Sequence, residues 1–174
     1  MTRRHESLIP LTHDHHHALA QARRLRLAAE GDEQQRLTQA HEFIDFFDSH
    51  TLTHFREEEE IVFPLVVDEP DAEPLLTQLL MEHVRLHAFA LGLRSELRRG
   101  APSGAVMKRL APLLDSHIRL EEKRLFPLIE RIVPGVRLGE LALSRAVGPA
   151  PGSGLATETI SVNDNVGENK VLAR

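Results

Sequence analysis

Histidine and glutamate recur at a four-residue spacing along this chain, an arrangement that could hold metal ions. Three pairs show it: His54 with Glu58, His83 with His87, and His117 with Glu121. Side chains four residues apart share one face of an α-helix and can therefore reach a common ligand. Imidazole nitrogen and carboxylate oxygen are ligands that many metal ions accept. One such pair would usually be a solvated helix-face pair, so the indication of a metal site comes from their recurrence.

An internal repeat is the most specific feature of the sequence. Residues 54–65 read HFREEEEIVFPL and residues 117–128 read HIRLEEKRLFPL, which share the frame H-x-R-x-E-E-x-x-x-F-P-L. A weaker pair precedes each copy, Asp14-His15 before the first and Glu82-His83 before the second. A purely architectural repeat would preserve apolar positions, whereas this one also preserves histidine and glutamate. We therefore expect two helical hairpins built to one plan, with matching polar side chains facing a common centre.

Helical periodicity over residues 8–133 predicts the elements that position these side chains. We expect helix A over 12–30, helix B over 32–63, helix C after a loop at 68–74 and up to about 99, and helix D over 105–133. Thr12 is a candidate N-cap of helix A, and Asp32 with Gln35 resembles a capping box before helix B. Two prolines inside helix D predict a kink or a late start there. Long helices joined by short turns predict an all-α fold, an up-down-up-down antiparallel four-helix bundle.

The pattern weakens after the fourth helix. We expect one bundle domain over residues 1–135 and an irregular C-terminal extension over 136–174. Within the extension, residues 139–146 are expected to form a short helix, and GPAPGSG at 148–154 is typical of a flexible linker.

Composition narrows the chemistry further. The chain has 11 histidines but no cysteine, tyrosine or tryptophan, which excludes disulfides, thiolate ligands and a tyrosyl radical. Any redox or gas chemistry must therefore come from a cofactor held by histidine and carboxylate. The net charge is −5 without a basic block, so we expect no nucleic-acid partner. Without a membrane-length apolar run or a signal-like start, we expect a cytoplasmic protein with no membrane partner.

Helix A offers four histidines in the sequence THDHHH, and helical phase selects among them. Leu11, Leu19 and Leu25 define its apolar face, where His15 falls, and His16 stays the alternative. The candidate ligands are then His15, His54, Glu58, His83, His87, His117 and Glu121. Five histidines, two bridging carboxylates and a shared oxygen bridge would fill about eleven of the roughly twelve positions of two octahedral ions. One position would stay open for a small ligand.

The chain resembles the hemerythrin family, and more closely its bacterial branch of HHE cation-binding domains. The matching pieces are Asp14-His15, His54-x-x-x-Glu58 followed by F-P, His83-x-x-x-His87, and His117-x-x-x-Glu121 followed by F-P. The resemblance covers roughly residues 8–133. It implies a four-helix bundle holding two iron ions in an oxo- or hydroxo-bridged di-iron centre, with the five histidines as terminal ligands and the two glutamates as bridges. O₂-carrying members have an aspartate five residues after the last histidine, where this chain has Glu122. The departure bears on reversible O₂ carriage more than on metal binding.

Three functions are compatible with these residues. The first is a binding protein for O₂ or a related diatomic molecule, or a sensor of oxygen, iron or redox state. The second is a di-iron enzyme that reduces O₂, peroxide or nitric oxide. Ferritin-like oxidases use more carboxylates than histidines, with Glu-x-x-His pairs, so the opposite balance here favours the first. The third is binding of zinc or manganese. A sensor would pass its output to a protein partner, through the C-terminal tail or through self-association.

Overall fold

The computed structural model describes residues 4–100 and 102–139, and this part of the chain is helical without strands. Its α-helices are α1 (Ile9–Ala28), α2 (Glu33–Phe46), α3 (Leu52–Glu57), α4 (Glu73–Arg98), α5 (Gly104–Leu120) and α6 (Phe126–Ile132). Intervening helical turns join α2 to α3 in the second long helix (33–65) and α5 to α6 in the fourth long helix (104–132), with α1 and α4 as the first and third. The prediction of a helical bundle with four long helices is therefore confirmed. The predicted linker and nearly all of the predicted short helix after residue 138 lie outside the described residues. Within those residues, no helix has both the length and the apolar character needed to span a bilayer.

The helix ends follow local sequence signals. The predicted capping box is present, because the Gln35 amide donates to Asp32 Oδ1 (2.8 Å) and the Asp32 amide donates to Gln35 Oε1 (2.9 Å). The predicted N-cap at Thr12 is wrong, because α1 begins at Ile9 with Pro10 in its first turn, where a missing amide costs nothing. After α4, Gly100 adopts a φ of 71°, the left-handed conformation that ends many helices.

The second and fourth long helices contain π-helical turns, at Phe47–Thr51, Glu58–Val62 and Glu121–Leu125. In the last two, the amides of Phe63 and Phe126 donate to carbonyls five residues back, those of Glu58 and Glu121. A proline follows each of these phenylalanines, and its ring would clash with the carbonyl four residues back in a regular helix. The wider turn relieves that clash, so the helix continues through Pro127. The repeated E-E-x-x-x-F-P-L segment thus forms the same π turn twice, starting at the same glutamate.

The four long helices pack in a ring, since α1 contacts α2 and α5, and α4 contacts the same two helices. Two separate apolar clusters fill the interior. One contains Leu25, Phe43, Leu86, Leu93 and Leu110. The other contains Leu11, Val62, Leu79, Leu125 and Ile129. Between them, each long helix contributes at least one clustered histidine, and the second and fourth also contribute a glutamate, so a polar layer lies between two apolar layers.

Candidate metal centre

The polar layer brings together six of the seven predicted ligands. They are His15 on α1, His54 and Glu58 on the second long helix, His83 on α4, and His117 and Glu121 on the fourth long helix. Both glutamates are fully buried, with 0% exposure, and three of the histidines are at most 2% exposed. His16, the alternative on α1, is exposed. Charged groups are buried in this way only with compensating partners.

Each buried carboxylate directs one oxygen to each half of the layer. Glu58 Oε1 lies 3.1 Å from His54 Nε2, and Glu58 Oε2 lies 3.4 Å from His83 Nε2. Glu121 Oε2 lies 3.1 Å from His15 Nε2, and Glu121 Oε1 lies 3.3 Å from His117 Nε2. The two glutamates therefore span both halves of the layer, as bridging ligands do.

The ligand atoms form two groups, and within each all atoms lie within 4.8 Å of one another. One group is His15, His54, Glu58 and Glu121, and the other is Glu58, His83, His117 and Glu121. Several of these buried atoms have no hydrogen-bond partner: both oxygens of each glutamate, and Nε2 of His83 and of His117. Such atoms are costly and rare in native proteins. A cation in each group would satisfy them, so the residues fit two metal ions.

A second set of acids contacts the outer nitrogen of each clustered histidine. These contacts are His15 Nδ1 to Glu122 Oε1 (2.8 Å), His54 Nδ1 to Asp14 Oδ2 (3.4 Å), His83 Nδ1 to Glu59 Oε1 (2.6 Å) and His117 Nδ1 to Glu82 Oε2 (3.0 Å). An acceptor at Nδ1 favours the tautomer that keeps Nε2 unprotonated and facing a metal. These outer acids follow the internal repeat, because exchanging its two copies exchanges the contacts with one another.

Sequence reasoning missed the outer acids as functional residues. The sequence pattern predicts that the four glutamates at 57–60, except Glu58, lie on a solvent-exposed helix face. The Glu59 side chain is indeed 41% exposed. The available signal was the repeat itself, because its double glutamate preserves Glu59 and Glu122 as well as the inner pair. Similarly, Asp14 and Glu82 each stand directly before a clustered histidine.

The charges in the centre are strongly coupled. Burial alone would lower the pKa of His15, but the neighbouring carboxylates of Glu121 and Glu122 raise it to about 11. Burial likewise opposes the charged form of His54, and the Glu58 carboxylate raises its pKa to about 10. Conversely, burial would raise the pKa of Glu58, but the neighbouring His54 holds it well below the usual range. Metal binding must therefore displace protons from the imidazoles.

The structure does not bring His87, the seventh predicted ligand, into either group. Its side chain is exposed, and its ring packs edge-on against Phe47 and Phe55, with centroid distances of 5.5 and 5.8 Å. Phe55 also stacks on His83 at a centroid distance of 3.8 Å. The space beside His83 is thus occupied by a phenyl ring, although the four-residue spacing places both histidines on one side of α4.

A small cavity adjoins the half of the layer formed by His15 and His54. Its volume is about 20 Å³, enough for one small molecule. Apolar side chains form much of its wall: Ala18, Phe46, Phe55, Leu114 and Ile118. At its outer side lies His50, which is exposed and stacks on Phe46 at a centroid distance of 5.2 Å. A small uncharged molecule would fit beside the first group of ligands.

Comparison with known protein families gives one match. The family described as "Hemerythrin HHE cation binding domain" matches residues 9–129, which include all six clustered residues and most of the bundle. No curated protein and no solved structure matches the chain.

Proposed function

The chain belongs to the hemerythrin HHE cation-binding domain family, and we propose that it holds two iron ions in a carboxylate-bridged centre that binds O₂ or a related small ligand. The observation that carries the proposal is the orientation of Glu58 and Glu121, each with one oxygen towards each group of histidines. Two ions held side by side need shared anionic ligands, and these are the two fully buried carboxylates of the layer.

The ligands divide evenly between the ions. His15 and His54 would hold one ion, and His83 and His117 the other, with both glutamates shared. When bound, the iron pair supplies the capacity to bind O₂ and to exchange electrons. With both carboxylates bridging, these residues would fill about eight of the roughly twelve positions of two octahedral ions and would leave positions for an oxygen bridge and for a small ligand.

The protein's own groups orient the ligands and exclude water. Each outer acid accepts the Nδ1 proton of its histidine, which keeps Nε2 directed at the centre. The cavity beside His15 and His54 has a largely apolar wall, which favours a small neutral ligand over water. We therefore propose that a small ligand would bind at the ion that His15 and His54 would hold.

We also propose the up-down-up-down order of the four long helices. The connections between α1 and α2 and between α4 and α5 are short, which favours antiparallel neighbours. The apolar clusters support this order, because one of them joins the start of α1 and of α4 to the ends of the second and fourth long helices.

Reversible ligand binding can be tested by absorption spectroscopy. The chain has no tryptophan or tyrosine, so iron bands in the near ultraviolet are unobstructed. We expect anaerobically iron-loaded protein to gain near-ultraviolet and visible bands on exposure to O₂ and to lose them when O₂ is removed. Continuous consumption of O₂ or peroxide would instead support the enzyme alternative. Aerobically purified protein holding only zinc or manganese would contradict the iron proposal.

Removal of the His87 imidazole tests which histidines are ligands. Because His87 lies outside both groups, we expect His87→Ala to retain both ions with an affinity within a few-fold of the wild type. His83→Ala should lose the ion shared with His117, because His83 Nε2 has no replacement. Metal content after gel filtration distinguishes the two variants. Loss of an ion from His87→Ala would show that this side chain rotates inwards to bind metal.

A further inference from the structure

The N-terminal segment contacts the fourth long helix mainly through the side chain of Arg4. Arg4 Nη2 donates to Glu122 Oε2 (2.6 Å) and to the Glu122 carbonyl oxygen (3.2 Å), and Arg4 Nη1 donates to Glu130 Oε2 (3.2 Å). The guanidinium also lies over the Phe126 ring, 4.9 Å from its centroid, and the His5 amide donates to Glu130 Oε1 (2.7 Å). Arg4 therefore has four separate contacts to residues 122–130, which hold its side chain in one place.

Glu122 passes this restraint on to the metal centre. While Oε2 accepts from Arg4, Oε1 accepts from Thr12 Oγ1 (2.8 Å) and lies 2.8 Å from His15 Nδ1. Its carboxylate is thus fixed at both oxygens. The resulting path runs from Arg4 through Glu122 to the imidazole of His15, whose Nε2 faces Glu121.

The equivalent acid in the other copy of the repeat lacks this support. Glu59 contacts His83 Nδ1 as Glu122 contacts His15, but its side chain is 41% exposed against 25% for Glu122. No lysine or arginine among the described residues forms an ion pair with Glu59. The arginine restraint therefore belongs to this chain's His15 half and is not a consequence of the repeat.

We propose that Arg4 and Glu122 are positioning residues that hold the His15 imidazole in its metal-binding orientation. The N-terminal segment would thereby slow release of the ion bound by His15 and His54. The inference rests on the proposed two-ion centre. An imidazole whose Nδ1 proton is already accepted by a fixed carboxylate loses less freedom on binding an ion, and partners of this kind typically change metal affinity about 10–100-fold. Arg4 acts one contact further out, so its effect is smaller.

The test is Zn²⁺ release from the full-length protein into excess chromophoric chelator, followed in the wild type and in the variants. We expect Glu122→Ala to speed release of one of the two ions about 10–100-fold, and Arg4→Ala to speed release of that ion several-fold. In Glu122→Gln the amide oxygen still accepts from His15 and Thr12, so this variant should resemble Arg4→Ala. The double variant Arg4→Ala/Glu122→Gln should release the ion little faster than either single variant, because both substitutions break the same ion pair between Arg4 and Glu122.

Arg56→Ala is the matched control, because Arg56 also pairs with a glutamate on a helix surface (Arg56 Nε to Glu60 Oε1, 3.3 Å) but lies outside the path to His15. It should release both ions at the wild-type rates. Circular dichroism verifies folding, and Glu122→Gln carries the test if either alanine variant fails to fold. Wild-type release from Arg4→Ala and Glu122→Gln, with two ions bound, would overturn this inference and leave the two-ion centre intact. A wild type that binds fewer than two ions would overturn the proposed centre and the inference together.

Discussion

Replacement of Glu58 by alanine is expected to abolish binding of both metal ions. Glu58 Oε1 faces His54 and Glu58 Oε2 faces His83, so one substitution removes a ligand from each group. It also removes one of the two negative charges that hold two cations side by side. The loss should exceed the roughly 10–100-fold typical of outer partners, because Glu58 is itself a ligand. Metal analysis of the desalted protein should show the content falling from two ions per chain to essentially none.

Glu60→Ala provides the control for this substitution. Glu60 lies two residues further along the same helix, is exposed, and pairs with Arg56 instead of the centre. It should retain both ions, and circular dichroism should show the helical content of both variants preserved. If Glu58→Ala keeps one ion at wild-type affinity, Glu58 serves a single ion and the bridged arrangement is wrong.

Removal of metal from the wild type is expected to cause a large loss of thermal stability. Without ions, buried carboxylate oxygens and imidazole nitrogens of the polar layer remain without hydrogen bonds. Ligand binding at a free concentration about 1,000 times the dissociation constant adds about 4 kcal/mol, or about 8 kcal/mol for two ions. A domain of this size shifts by about 2–4 °C per kcal/mol. Chelation should therefore lower the melting temperature by roughly 15–30 °C.

Thermal unfolding followed at 222 nm, with and without chelator, measures this shift. Re-addition of Fe²⁺ or Zn²⁺ to the chelated protein should restore the higher melting temperature. In Glu58→Ala, the melting temperature should be the same with and without chelator, which separates metal loss from nonspecific effects of the chelator. Equal melting temperatures for chelated and metal-loaded wild type would show that the layer is stable without ions, contrary to its unpartnered buried atoms.

Much of the bundle and of the inner centre follows from the sequence, because local periodicity and the repeat act on them directly. The capping box at Asp32 and Gln35 uses contacts three residues apart, so pattern alone predicts it. The cluster formed by His15, His54 and their partners follows from placing repeated polar pairs on apolar faces. Both cases depend on short spacings that helical geometry converts into positions.

The remaining features depend on packing between distant segments. Arg4 meets Glu122 across 118 residues of sequence, and no local pattern encodes that contact. Each outer acid is adjacent in sequence to an inner ligand but contacts a histidine of another helix, and only the packing of the helices brings the two together. At His87 the local pattern predicts a contact that the packed structure does not make. Its four-residue spacing from His83 predicts a ligand, but Phe55 fills the space beside His83.

The bridged pair is tested most directly by the iron content and the electron paramagnetic resonance spectrum of the oxidised protein. Two ferric ions joined by an oxo or hydroxo bridge as well as by the carboxylates would couple antiferromagnetically and give no ferric signal at low temperature, whereas isolated ferric ions give a strong one. We predict two irons per chain with essentially no ferric signal, and loss of both irons in Glu58→Ala. One iron per chain, or a ferric signal that accounts for all the iron, would contradict a centre bridged by Glu58 and Glu121.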